Sequence, residues 1–154
     1  RSSLVMVWKP HVTVAAVVCR DGKFLLVEEE TEVGLAFNQP AGHLAEDEPL
    51  VDAVVRETLE ETAYHFRPTH VVGVYHWKHP TKEDTTYLRF AFGGELLGFE
   101  PDRKLDDGIV AARWLTLDEV RATQARHRSP LILRCCEDLL AGKRYPLDLL
   151  VHYG

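Results

Sequence analysis

The stretch GHLAEDEPLVDAVVRETLEETAY, residues 42–64, decides how the rest of the chain is read. Pro40 and Gly42 interrupt any regular element just before it, and the run from Pro49 to about Thr62 favours helix. Pro49 suits a first helical position, and Glu46 or Asp47 could cap the helix or complement its dipole. Wound at about 100° per residue, Glu57, Glu60 and Glu61 share one face within one turn. Leu50, Ala53 and Val54 precede them on that face, and Val51, Val55, Thr58 and Leu59 cover the adjoining arc. The carboxylates therefore continue an apolar stripe instead of occupying a watery side.

Two carboxylates about 5 Å apart repel by roughly 3 kcal/mol at an effective dielectric near 20. Three on one turn, partly desolvated, must take up protons or acquire a counter-charge. Arg56, with Glu60 at its i+4 position, balances one of them and cannot balance three. Hard divalent cations with oxygen ligands meet that need, and Gly42 lets a main-chain oxygen approach as a further donor. Glutamate pairs on helices are common as solvated decoration. The Pro-Ala-Gly break, the acidic loop with Glu48, and Arg56-Glu57 beside Glu60-Glu61 together argue for a site.

Outward from this window, residues 11–19 and 24–28 form two strand-like runs around Asp21-Gly22, a hairpin pattern. A looser stretch carrying Gly34 leads to Phe37-Asn-Gln-Pro40. Val71 to Trp77 and Tyr87 to Leu97 are expected as strands joined by a polar loop, and Ala111 to Leu115 as a last strand. Thr116-Leu-Asp-Glu119 has the form of a capping box, and Ser129-Pro130 opens a final helix ending at Gly142. The order is mixed: an α/β or α+β domain expected to span residues 1–154, with 1–8 as a loosely ordered leader.

Composition narrows the partners. The formal net charge is −6 and no basic patch is evident, which argues against a nucleic-acid polymer. No apolar run approaches the roughly 20 residues of a membrane span, and the leader is too short for a secretory signal. Cys19, Cys135 and Cys136 have no metal-binding spacing or disulfide framework, and the adjacent pair fits small buried helix positions. These features place the chain in a reducing cytoplasm.

Residues 42–64 resemble the Nudix box, G-x5-E-x7-R-E-U-x-E-E-x-G-U with U aliphatic: Gly42, Glu48, Arg56, Glu57, Glu60 and Glu61 all fall at matching positions. Thr58 and Tyr64 replace aliphatic residues. Ala63 replaces a glycine just past the helix end, where a strained backbone costs about 1 kcal/mol but leaves the carboxylates in place. Further segments, Lys9 to Ala15, Phe37 to Leu44, Arg128 to Leu131 and Arg144 to Leu147, resemble the phosphatase NudJ branch of that superfamily.

The resemblance implies an α/β/α sandwich with a mixed sheet and Mg²⁺- or Mn²⁺-dependent hydrolysis of a small phosphorylated substrate by a monomer or homodimer. It implies metal binding by Glu57, Glu60 and Glu61, orientation of the glutamates by Arg56, and a structural role for Glu48. Metal-activated water would attack phosphorus, with Glu60 or Glu61 able to take the proton. The branch implies nucleoside tri- and diphosphates or hydroxymethylpyrimidine pyrophosphate as substrates. Alternatives are ADP-ribose or another nucleoside-diphosphate-X compound, a non-catalytic nucleotide sensor, and an isoprenoid diphosphate isomerase needing a well-placed cysteine.

Outside the box, Asn38 and Gln39 could contact a base or phosphate or satisfy loop backbone. Phe37, Tyr75 and Trp77 could stack on a base or belong to the core. His76 and His79 could serve the phosphates or simply sit on a loop. Asp106 or Asp107, just before Gly108, could add a supplementary metal ligand or base or form a plain Asx turn, and Glu95 is a similar candidate.

Overall fold

The computed structural model describes residues 6–154; Arg1 to Val5 of the expected leader lie outside the described residues, and Met6, Val7 and Trp8 are exposed and irregular. The chain then forms β1 (His11–Ala16), β2 (Cys19–Arg20), β3 (Lys23–Thr31), β4 (Gly34–Asn38), β5 (Ala41–His43), α1 (Leu50–Thr62), β6 (Tyr64–Lys78), β7 (Thr86–Phe99), β8 (Ile109–Thr116), α2 (Leu117–Ala122), α3 (Leu131–Leu140) and β9 (Tyr145–Pro146). One sheet has the order β5-β1-β7-β6-β9, with β1 and β7 parallel and the other pairs antiparallel. In the second, β3 pairs β2 and β4 along its length and also pairs β8.

The expected hairpin forms at Asp21-Gly22, where both residues take positive φ, the twist a two-residue turn needs. The single strand expected over residues 11–19 is divided, because the chain leaves the first sheet after Ala16 and enters the second at Cys19. The supposed loose stretch does the reverse. Residues 34–38 pair with β3, Gln39-Pro40 crosses between sheets, and Ala41–His43 pairs with β1. The two crossings are tied together where the Ala16 N–H donates to the Pro40 carbonyl at 2.9 Å. The short β5 ladder has no alternating apolar pattern to announce it. β6 begins seven residues earlier than expected, its register shifts beside Pro68 absorbing the missing donor.

Alternation along the strands sorts the core into two layers. Val14, Ala16, Leu25, Val71 and Phe92 pack with Ala53 and Val54 of α1. Val17, Phe24, Leu26, Val72 and Ala91 pack with Val120, Ile132, Cys135 and Cys136 of α2 and α3. Helices thus cover both faces of the sheet layer, and both helical cysteines are fully buried. Among the described residues no helix is long and apolar enough to cross a membrane.

The ends of α1 differ from expectation. Pro49 occupies the N-cap with extended backbone, and no side chain caps the helix. The Glu48 carboxylate turns instead to the Ala45 N–H at 3.3 Å. At the other end Ala63 takes the left-handed conformation, φ 65°, and its N–H donates to Leu59 O at 2.9 Å. The helix ends where a glycine would end it, at the cost of a Cβ in an unfavourable region. Ala63→Gly is expected to raise stability by about 1 kcal/mol or less, the buried Cβ offsetting part of the backbone gain. Urea denaturation measures this, and a loss of stability would show that the Cβ packing dominates.

Glu28, on β3, is 8% exposed and accepts from Arg113 Nε and Nη2 at 3.2 Å and from Arg126 Nη2. The Arg126 hydrogen bond, aided by Arg113 and opposed by burial, holds its carboxyl below the usual range. A carboxylate favoured in the folded state stabilises at pH above its ordinary 4.5 and loses that contribution as pH falls through the lower folded value. Glu28→Gln is therefore expected to cost about 1–2 kcal/mol at pH 7. The difference from wild type should shrink in unfolding titrations as pH is taken down from 4.5 and the folded carboxylate becomes protonated.

Candidate active site

Arg56 is the centre of an ion-pair hub. Its Nε and Nη2 donate to Glu48 at 2.8 and 2.9 Å, and its Nη1 donates to Glu57 at 2.9 Å and Glu60 at 2.7 Å. The Arg56 hydrogen bond keeps the Glu48 carboxyl below its usual range despite burial, and Arg56 in turn holds its proton more firmly. This fork joins Glu48 of the acidic loop to Glu57 and Glu60 on the helix.

Arg56 alone does not balance the carboxylates gathered at this end of the helix. Glu57 is 9% exposed, and its burial pushes its pKa up although Arg56 opposes the shift. Glu61, held by the Ala41 N–H at 2.9 Å, is pushed up to about 9, chiefly by burial. Of the two candidates Asp106 and Asp107 for a supplementary ligand, Asp106 is the one drawn in, and by backbone: its N–H donates to Glu60 O at 3.0 Å. Burial and the nearby Glu60 raise its pKa also. Carboxylate oxygens of Glu57, Glu60 and Asp106 lie within 4.8 Å of one another. The spacing-based trio is thus reshaped, with Asp106 joining Glu57 and Glu60 while Glu61 stands beside them against β5.

Gly42 has a specific steric reason. A Cβ built there would fall inside the Glu57 carboxylate, so only glycine lets that group lie against β5. Oxygen donors crowded together, raised proton affinity and a cradle closed by any larger residue fit a hard divalent cation. Glu57, Glu60 and Asp106 are the residues that could hold one, with Glu61 adjacent.

A cavity of about 510 Å³ opens beside the helix. Glu57, Glu61, Gly42 and Arg56 line one side, and Arg89, Arg128, Lys82, Tyr87 and Trp77 line others. Acid for a cation and base for an anion meet in one space. Of the residues singled out earlier, Asn38, Trp77 and His79 line it. Trp77 stacks on Tyr87, with ring centroids 5.9 Å apart, and is placed to offer an aromatic wall.

The expectation that Gln39 and Phe37 contact substrate does not fit their places. Gln39 is 1% exposed, its Nε2 donating to Ile132 O and its Oε1 accepting from Arg89, each at 2.8 Å. Phe37 is buried in the α3-side core beneath Arg126. Tyr75 donates to Asp138 at 2.7 Å, His76 is exposed outside the cavity, and Glu95 pairs with Arg67. Arg89, Arg128, Glu29 and Lys82 were not anticipated. Arg89 had a signal, a lone cation in the apolar run Tyr87-Leu-Arg-Phe-Ala-Phe92.

Comparison with known proteins decides the family. The NUDIX domain model matches residues 9–135. The chain belongs to the Nudix family. This Nudix hydrolase is 43% identical over 144 residues to the phosphatase NudJ of Escherichia coli, covering 93% of this chain and 92% of that protein. The structure of a NUDIX hydrolase from Nitrosomonas europaea superposes with a TM-score of 0.91 at 54% identity, over 94% of this chain and 98% of the other. An ADP-ribose pyrophosphatase from Streptococcus suis superposes at 0.65 with 23% identity, over 89% and 96% of the two chains, and shares the fold alone.

Proposed function

We propose that this Nudix hydrolase is a NudJ-like phosphatase. It cleaves phosphoanhydride bonds in nucleoside tri- and diphosphates or related pyrophosphates such as hydroxymethylpyrimidine pyrophosphate, with Mg²⁺ or Mn²⁺. The observation that carries the reading is the juxtaposition in one cavity of the Glu57 and Glu61 carboxylates with Arg89, Arg128 and Lys82. The 43% identity to a protein named for phosphatase activity selects the branch.

In this reading Glu57, Glu60 and Asp106 would hold the cation, and Glu61 and the Gly42 main chain are the adjacent oxygen donors that could join them. When bound, it supplies charge to the phosphates and lowers the pKa of a coordinated water. Arg56 keeps Glu57 and Glu60 in place and anchors them to Glu48. A carboxylate of the cluster accepts the proton as water attacks phosphorus and the anhydride P–O bond breaks. Trp77 and Tyr87 offer an aromatic surface for the rest of the molecule. The isomerase alternative loses support, since none of the three cysteines lines the cavity.

The test is a Mg²⁺-dependent panel of nucleoside tri- and diphosphates, ADP-ribose, dinucleoside polyphosphates and hydroxymethylpyrimidine pyrophosphate, with products identified. Release of orthophosphate from simple nucleotides supports the reading. Turnover confined to ADP-ribose sinks it, and tight binding without turnover points to a sensor.

A further inference from the structure

The arginines and lysines on the wall of the cavity are not equivalent. Arg56 is divided among Glu48, Glu57 and Glu60, and Arg128 Nη1 lies 3.0 Å from Glu29 Oε1. Lys82 belongs to the exposed loop after β6 and Arg89 to β7; neither is in an ion pair among the described residues. Lys82 is hydrated, so its charge needs no partner. Arg89 is 6% exposed. A buried guanidinium without a carboxylate is expensive unless something else holds it.

What holds it is neutral. Arg89 Nη1 donates to Gln39 Oε1 and Nη2 to Asn38 Oδ1, each at 2.8 Å, and the Cys135 thiol lies beside it. Gln39 is itself pinned by its bond to Ile132 O on α3. Both amide oxygens come from the crossing between β4 and β5, the segment that also delivers Gly42 to the glutamates. Such a frame fixes the direction of the guanidinium and leaves its charge uncancelled. With five N–H donors and two committed to amides, the group retains capacity for an anion. A planar fork suits two oxygens of a phosphate. A purely structural arginine would more economically face a carboxylate, as Arg113 and Arg126 face Glu28.

We propose that Arg89 is the receptor for a phosphate group of the substrate, with Asn38 and Gln39 as the positioning residues that aim it. This rests on the phosphoanhydride reading of the cavity and adds the residue that grips the oxyanion. It also gives Asn38 and Gln39 a role one step removed from the substrate.

The probe is imidodiphosphate, a hydrolysis-resistant diphosphate, titrated calorimetrically into the full chain in Mg²⁺. Arg89→Met is expected to raise Kd by about tenfold or more, and Arg89→Lys to recover only part of the loss because the fork is gone. Asn38→Asp keeps the arginine but gives it an internal counter-charge, and is expected to weaken binding by about tenfold as well. In any substrate the panel identifies, these variants should raise KM at least as much as they lower kcat. Circular dichroism checks the fold; if Arg89→Met does not fold, Asn38→Asp decides. Binding by the folded variants within about twofold of wild type, or no imidodiphosphate binding by wild type, overturns the assignment. Loss of binding in the variants of a protein that hydrolyses nothing in the panel keeps the receptor and removes the substrate class instead.

Discussion

Glu60→Gln and Glu61→Gln are each expected to lower Mg²⁺-dependent turnover by at least about 10²-fold while the fold survives. Glutamine keeps the shape of the side chain and can still accept a hydrogen bond, so the Ala41 N–H that meets Glu61 retains a partner. What disappears is the negative charge, and with it the attraction for a hard cation. The two positions should differ in stability. Glu61 is partly buried with its pKa pushed up to about 9, so without metal the folded chain must take up a proton there at a cost the neutral replacement removes, and the metal-free Glu61→Gln protein should melt no lower than wild type. Glu60 is bonded to Arg56 at 2.7 Å and shares it with Glu57 and Glu48, so its replacement loosens the hub modestly. Asp106→Asn is the companion measurement, since only the folded chain brings that residue to Glu60. Steady-state kinetics with Mg²⁺ and thermal melts with and without it read all three. Wild-type turnover in Glu60→Gln or Glu61→Gln removes that residue from the proposed site.

Gly42→Ala is the second large effect, and it separates packing from chemistry. A single methyl at that position would occupy the space of the Glu57 carboxylate. The obstacle is the end of a flexible side chain, so the chain can fold by swinging Glu57 away. The carboxylate would then leave the group it forms with Glu60 and Asp106. Displacing a reacting constellation by about 1 Å costs on the order of 10²-fold in rate, so turnover should fall by at least that much. Stability should change little, because the β1–β5 pairing of Val14 with Gly42 survives. A variant with normal kinetics would mean that Glu57 works from another position. A variant that fails to fold would mean that β5 cannot accept the methyl at all.

The shape of the core is legible in the sequence, because alternation and helical period report which faces are apolar. The capping box at Thr116 forms with both of its bonds, and α1 runs over the residues its pattern predicts. Strands β4 and β5 were not legible. Their pairing depends on where the chain crosses between sheets, and Pro40 and Gly42 suggested only interruption. Asp106 was legible only as one of two adjacent candidates for a supplementary ligand, because a backbone bond between a loop and the end of a distant helix leaves no local pattern that would place it. Gln39 and Phe37, polar and aromatic beside the motif, looked like substrate contacts. Their neighbours in space, Ile132, Arg89 and Arg126, turn one into a brace and the other into core.

By itself the sequence determined the family and the acidic helix face, because spacing along one helix is a local property that 3.6 residues per turn converts directly into geometry. Only the tertiary structure decided the membership of the carboxylate cluster, the steric need for Gly42 and the uncancelled charge of Arg89. Each of these depends on which segments far apart in the chain are brought within a few ångströms, and on whether the charge that meets there is buried or paired.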